Sequence, residues 1–419
     1  MEILVHPNEV CYTYSVYSKR FRLQNSSTRH LLVAQIFSGA VSLVVLLFSA
    51  RVAGSSVVGT VAIAIVISGV IIDIFDYGAC SYYSTKLAAG DTSKEAYWRV
   101  SSQKQSLILL ISMIIVALTI LVSRDISLIY FIGYPLLWLR MNYVQQYFFA
   151  TGQFKQAVIA IYFDKLSYIS VIPMYLFGEK GVLIVIGPVM IGLGVHSIVG
   201  KFYTKGNQLR SLKWQYTYPA VRKSFKDSKY FGRSSVITDV ANLDTPLIAI
   251  ILSVSDSGTY SLFQKFRGPL ITGFQSFSNS FKPIVAKGNK QDIKELLVSE
   301  KWLLILNICG ILIFAGIFLK YSQSFLGNTF KDANLILCIG SLSALPTALS
   351  FLCSTYLTSS GLEKLNARIL ILFVPVLLIA IAVTAHVSGL IQTTITILVI
   401  NILLCCLLTK KVYDHWTKA

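Results

Sequence analysis

The sequence predicts an all-α integral membrane protein, with about twelve transmembrane helices arranged as two parallel six-helix repeats. Three observations predict it. Of the 419 residues, 54% are hydrophobic and 13% charged, with a mean hydropathy of +0.66, values outside the range of a soluble domain of this size. Apolar stretches long enough to cross a bilayer, which takes roughly 20 residues, recur from Leu31 to Thr409 between short polar connections. Short matches between the two halves mark an internal repeat.

The first stretch, Leu31 to Ala50, follows the basic cluster Lys19, Arg20, Arg22 and Arg29, and with Glu2 and Glu9 further upstream it reads as an uncleaved anchor. The first set continues with Gly54 to Tyr77, Ser106 to Ser123, Ile126 to Phe149, Gln156 to Phe177 and Gly181 to Gly200. The second set is Arg233 to Val254, Gly258 to Phe281, Trp302 to Leu319, Ala333 to Thr358, Ala367 to Ala385 and Gly389 to Thr409. These are spans 1 to 12. They divide the chain into an N-terminal segment (1–30), an N-lobe (31–200), a basic linker (201–232), a C-lobe (233–409) and a tail (410–419).

A net charge of +18 invites a nucleic-acid reading, but the basic residues are scattered over short loops and form no single face, so no nucleic acid is expected. Topology explains them better. Of 37 Lys and Arg, 28 fall on the side of the termini and five on the other (Arg51, Arg124, Lys180, Lys320 and Lys331). The positive-inside rule then makes both termini cytoplasmic. The nine basic residues from Lys201 to Arg233 read as an orientation signal in contact with anionic membrane lipids, with a partner-binding site as the other reading.

Gly59, Thr60 and Ser81 recur 199 residues later as Gly258, Thr259 and Ser280, and Tyr147, Gly152 and Lys155 recur 209 residues later as Tyr356, Gly361 and Lys364. Six spans return the chain to the same side, so the repeats are parallel and related by an axis along the membrane normal.

An ionisable group at the bilayer centre costs about 2.5 to 3.5 kcal/mol on the most lenient scale, so those retained there face protein or water. Asp73 and Asp76 fall at the end of span 2 and read as interfacial. Seven lie deeper: Arg140, Asp164, Lys165, Asp239, Asp244, Lys265 and Arg267. They can pair with one another, for instance Asp244 with Lys265, as structural locks. Yet their repeat partners are uncharged (Leu349, Phe373, Val374, Ala40, Val45, Val66 and Ser68), so the fold does not need charge there twice. As binding groups, Arg140, Lys165, Lys265 and Arg267 would attract an anionic head group. The carboxylates Asp244, Asp164 and Asp239 are candidates for coupling to a cation, H+ or Na+, with Asp244 first because Pro246 loosens the helix beside it. Residues one or two apart diverge on a helix, so Asp164 and Lys165 need not share a face, and Lys265 and Arg267 cannot both point into one cavity.

Most of the 22 tyrosines suit interfacial belts; Tyr143, Tyr162 and Tyr168, beside the charged spans, are also candidates for stacking on sugar rings. Cys80, Cys309, Cys338, Cys353, Cys405 and Cys406 lack metal-ligand spacing, and no disulfide framework, metal or cofactor is expected. No phosphate-binding glycine loop or nucleophile-base arrangement is present, and His196, the one histidine in a span, reads as packing.

Several short motifs resemble one family. They are Gly54-Ser-Ser-Val-Val-Gly59, Asp76-Tyr-Gly78, Ala150-Thr-Gly152-Gln-Phe-Lys155, Leu243-Asp244-Thr-Pro246, Ser257-Gly-Thr-Tyr260 and Lys282-Pro283. The chain after Leu31 is similar to the polysaccharide-export branch of the multidrug, oligosaccharidyl-lipid and polysaccharide (MOP) exporter superfamily, in particular bacterial O-antigen flippases of the Wzx type. The resemblance implies a V-shaped, two-lobed transporter of the bacterial inner membrane. It implies as substrate an undecaprenyl-diphosphate-linked oligosaccharide moved from the cytoplasmic to the outer leaflet, and it leaves room for contact with glycan polymerase machinery.

The rival of the same class is a cation-coupled drug or metabolite antiporter of that superfamily, which often carries a carboxylate in span 1; Leu31 to Ala50 has none. The rival of another class is a membrane glycan-assembly enzyme. Short loops opposite the termini leave it little room for a catalytic site, and the chain is expected not to be an enzyme.

Overall fold

The computed structural model describes residues 30–31, 33–123, 133–204, 218–286, 290–299, 301–326, 330 and 332–418. Every ordered element among them is helical. Span 1 is Val33–Ala53, span 2 Ser55–Asp76, span 3 the apolar part of Lys94–Ser123, and span 4 Gly133–Ala150. Span 5 runs from Phe154 to Leu176 and span 6 is Val182–Tyr203. The second half places span 7 at Lys229–Ile251, with spans 8 to 12 at Val254–Ala286, Lys301–Leu326, Ala333–Ser359, Glu363–Ser388 and Leu390–Lys418. The first part of the predicted span 4, the basic N-terminal cluster, Arg124, Lys213 and Lys331 lie outside the described residues.

Among the described residues, nine of these helices are long and apolar enough to cross a membrane. Span 8 falls outside that set because Ser257, Thr259, Ser261, Gln264, Lys265 and Arg267 interrupt it. Its polarity has a place: span 8 packs along span 2 of the other half, between protein and protein. Side chains such as Leu176, Phe177, Leu306, Leu372 and Val387 are exposed and form the lipid-facing surface.

The repeat is visible in the backbone. After span 4 the amide of Gln153 donates to Phe148 O at 2.8 Å, and after span 10 the amide of Leu362 donates to Leu357 O at 2.8 Å. Gly152 (φ 70°) and Gly361 (φ 80°) sit at the left-handed position of each turn. These three pairs of residues are all 209 apart.

The halves meet along span 2. At the end opposite the basic connections, a Cβ on Gly59 would collide with Val254 O, and one on Gly258 with Ser55 O. Ser55 and Ser255 share a hydrogen bond of 2.7 Å there. At the basic end, a Cβ on Gly78 would strike Phe231, and one on Gly232 would strike Tyr77. In lipid, where no hydrophobic force draws helices together, such glycine contacts allow dense packing.

Among the described residues, two spans are broken. Span 5 tightens into a 3-10 turn at Ser167–Ser170, just before Pro173, which has no N–H to offer the carbonyl four residues back. Span 7 stops at Ala241 and restarts at Asp244, with Pro246 in the first turn of the new helix, where a missing N–H is tolerated. The intramembrane carboxylates Asp164 and Asp244 sit beside these two breaks.

Candidate functional site

Asp244 opens the second segment of span 7, where its charge meets the positive end of the helix dipole. It is buried, and its partners come from its own turn and from span 8. Oδ1 accepts from the Thr245 amide at 2.6 Å and Thr245 Oγ1 at 3.3 Å. Oδ2 accepts from Tyr260 OH at 2.5 Å and Gln264 Nε2 at 2.6 Å. Gln264 in turn accepts from Arg267 at 2.7 Å through its Oε1. The ion pair expected between Asp244 and Lys265 is therefore not formed. Tyr260, Gln264 and Arg267 recur at steps of four and three and share one face of span 8; Lys265, next to Gln264, points elsewhere.

Lys265 is exposed, although protein atoms crowd around it, and it lies within electrostatic reach of Lys165. Lys165 comes from span 5, so the two halves bring two cations towards each other. Lys165 Nζ donates to Tyr168 OH at 2.8 Å and pairs with Asp164 Oδ2 at 3.2 Å. Sequence neighbours thus do meet here, because the long lysine stem curls back along the helix. Arg140 in span 4 is half-buried without a hydrogen bond or ion pair among the described residues. Of the four intramembrane cations, Arg140 and Lys265 have no counter-ion among those residues, Lys165 has one, and Arg267 reaches Asp244 through Gln264.

Asp239 lies in the first segment of span 7, half-buried. Asn242 Nδ2 donates to its Oδ1 at 3.3 Å, and its Oδ2 stands 3.8 Å from where a Cβ on Gly69 of span 2 would be. Asp73 of span 2 is beside it and accepts from Ser235 Oγ of span 7 at 2.6 Å. Tyr134 of span 4 is within electrostatic reach of both Asp239 and Tyr168. Tyr134, Lys165 and Tyr168 from the first half, and Asp239 and Lys265 from the second, therefore face a common region.

Asp76 departs from expectation. It is buried, accepting from Tyr143 OH at 2.7 Å and from the Cys80 amide at 3.1 Å, with Lys104 close by. Lys104 is buried too, donating to Phe75 O at 2.8 Å and lying 3.7 Å from the Phe225 ring centroid. The turn Asp76-Tyr77-Gly78, with Tyr77 at φ 49° and Gly78 at φ 66°, is thus held by a polar core and is not an interfacial cap. Tyr143 is spent on that core, which removes it as a sugar platform; Tyr162 packs on Phe37 at 5.1 Å between ring centroids. Among the described residues no cluster of metal-ligating side chains is found.

The helix order, the two breaks and the inter-half seam define an all-helical membrane fold built as two repeats. The chain resembles an inward-facing multidrug resistance MATE family transporter of the MOP superfamily, with a TM-score of 0.64 at 12% identity over 93% of this chain and 98% of that one. It also resembles the MATE multidrug transporter DinF-BH, at 0.66 and 16% over 94% and 95%. A MOP superfamily transporter from Pyrococcus furiosus, described as having a binding pocket of reversed polarity that suggests a different function, gives 0.63 and 11% over 94% and 96%. At such identities the likeness establishes the fold. No protein-family model and no curated protein sequence matches the chain.

Proposed function

We propose that this chain is a flippase that moves an undecaprenyl-diphosphate-linked oligosaccharide from the cytoplasmic to the outer leaflet of a bacterial inner membrane by alternating access. The carrying observation is the approach of Lys165 and Lys265 from opposite halves. Two cations within electrostatic reach of one another in a membrane interior repel, and an anion placed between them turns that cost into attraction. A diphosphate supplies the anion, and its oxygens suit Arg140 and Arg267 as well. The polyprenyl tail stays in lipid, and the lobes 31–200 and 233–409 rock about their seam, with both termini and the linker 201–232 cytoplasmic.

The carboxylates Asp244, Asp164 and Asp239 supply sites for a coupling cation. Asp244 is the first of them, because its network ends on Arg267: a change in its charge is felt two hydrogen bonds away, through Gln264, at a substrate-binding group.

A second reading, a cation-coupled drug antiporter, is favoured by the multidrug transporters among the structural relatives. A binding measurement separates the two. The purified protein should bind undecaprenyl diphosphate and not a lipophilic cation such as tetraphenylphosphonium. Binding of the cation alone would reverse the assignment.

A further inference from the structure

Span 6 contributes a group that anion binding leaves unused. His196 is 1% exposed, and among the described residues neither ring nitrogen has a hydrogen-bond partner. Its Nδ1 lies 4.0 Å from Asp164 Oδ2, the same oxygen that Lys165 Nζ approaches at 3.2 Å. Asp164 Oδ1 is buried and unpartnered as well, pressed against Gly192 of span 6, where any side chain would collide with it. The charged and titratable groups around the ring are Asp164, Lys165 and Tyr168 from span 5, with Tyr134 of span 4 beside Tyr168 and Lys265 of span 8 beyond Lys165.

Buried polar groups are nearly always satisfied, and an imidazole with two idle nitrogens calls for a cause. A neutral ring carries one donor and a protonated ring two. We propose that His196 is a proton-binding site, and that its proton and the anionic head group bind together. With His196 neutral, the carboxylate of Asp164 belongs to Lys165, and the set Asp164, Lys165 and His196 sums to zero charge. With His196 protonated, the imidazolium takes up Asp164 Oδ2, Lys165 is released towards Lys265, and the set gains one positive charge on the side where the head group sits. The proton enters by way of Asp164, whose carboxylate takes it up as an O–H and passes it to the ring, so that an N–H bond forms on His196 as that O–H breaks and Asp164 returns to its carboxylate; release reverses the two steps. Linkage is reciprocal, so a bound anion draws the proton as much as the proton draws the anion. Exchange requires cation and head group to displace one another; of the three coupling carboxylates, Asp164 is thereby assigned to the proton that binds with the head group, and a cation exchanged for substrate falls to Asp239 or Asp244. The inference takes its ligand from the flippase reading, but the protonation of His196 stands without it.

The test uses the full chain in lipid nanodiscs with 15N-labelled histidine. The variant in which His6, His30, His386 and His415 are replaced by Gln leaves His196 as the single signal. Its ring should convert from neutral to imidazolium as the pH is lowered through the range over which the protein stays folded, and Asp164→Asn should move that conversion. Undecaprenyl diphosphate should bind about tenfold more tightly at the acid end, with proton uptake from a weakly buffered solution, and His196→Gln should abolish both the uptake and the pH dependence. A ring that stays neutral throughout, or a pH dependence retained by His196→Gln, overturns the inference. If the wild type binds no undecaprenyl diphosphate at any pH, the flippase reading fails, and the ring conversion and its response to Asp164→Asn then decide this proposal alone.

Discussion

Gly59 and Gly258 hold equivalent places in the two repeats, 199 residues apart, and they pack against one another: each would drive a side chain into the backbone of the other half. The pseudo-two-fold axis therefore passes close to this contact. A bulky residue at either position should wedge the halves apart, so Gly258→Leu is expected to lower transport at least about tenfold while the protein still reaches the membrane, because overpacking at a backbone contact has no flexible neighbour to relax into. Transport at the wild-type rate by both Gly59→Leu and Gly258→Leu would show that the seam is not closed in the cycle.

The serine pair beside these glycines gives a reversible version of the same experiment. Ser55 Oγ and Ser255 Oγ are 2.7 Å apart, so Ser55→Cys with Ser255→Cys, in a background without the native cysteines, should form a disulfide under mild oxidation. Alternating access predicts that the cross-linked protein stops transporting and recovers on reduction. Full activity in the oxidised state would mean that the halves never part here.

Asp244 is held by four hydrogen bonds from Thr245, Tyr260 and Gln264. Removing the hydroxyl in Tyr260→Phe takes one bond from a buried carboxylate and should destabilise the protein by about 1–3 kcal/mol, read as a lower midpoint in thermal unfolding. Asp244→Asn keeps most of the geometry but fixes the charge. It should abolish the response of reconstituted transport to an imposed proton or sodium gradient while substrate binding remains measurable. A normal response to both gradients in the Asn variant removes Asp244 as the coupling group.

The orientation follows from the basic residues and is checked chemically. Cysteines introduced near Arg51, Arg124 or Lys331 should react with a membrane-impermeant thiol reagent in intact cells, and those near Lys213 or Lys290 should not. The reverse pattern would turn the protein over.

Hydropathy alone announces the spans, because a lipid-crossing helix has no other way to satisfy its backbone. The repeat was legible from a handful of residues, and the turns at Gly152 and Gly361 show why those residues recur: both close a helix with the same left-handed step. Pro246 announced the break that holds Asp244; the break that holds Asp164 had a matching signal in Pro173 that was not read. Pairing was less legible. Asp244 finds Tyr260 and Gln264, not Lys265, because the rotation of span 8 about its axis decides which face meets span 7, and neighbouring positions on a helix differ by about 100°. The stripe Tyr260, Gln264 and Arg267 was present in the sequence as the signal for that face. Asp76 looked interfacial from its place near a span end, but Tyr143, 67 residues away, buries it. His196 looked like packing because nothing in a sequence reports whether a ring nitrogen has found a partner.

The proposed transport requires an anionic lipid to meet cations contributed by both halves. Proteoliposomes loaded with a fluorescent undecaprenyl-diphosphate oligosaccharide measure this directly, by the rate at which the sugar crosses the bilayer. The wild type should accelerate crossing. Lys165→Ala and Lys265→Ala should each slow it by about tenfold or more through loss of a charge-assisted contact in a poorly screened site, with Lys165→Arg and Lys265→Arg retaining part of the activity. Normal crossing in Arg140→Ala, Lys165→Ala, Lys265→Ala and Arg267→Ala alike, or no acceleration by the wild type, would contradict the account.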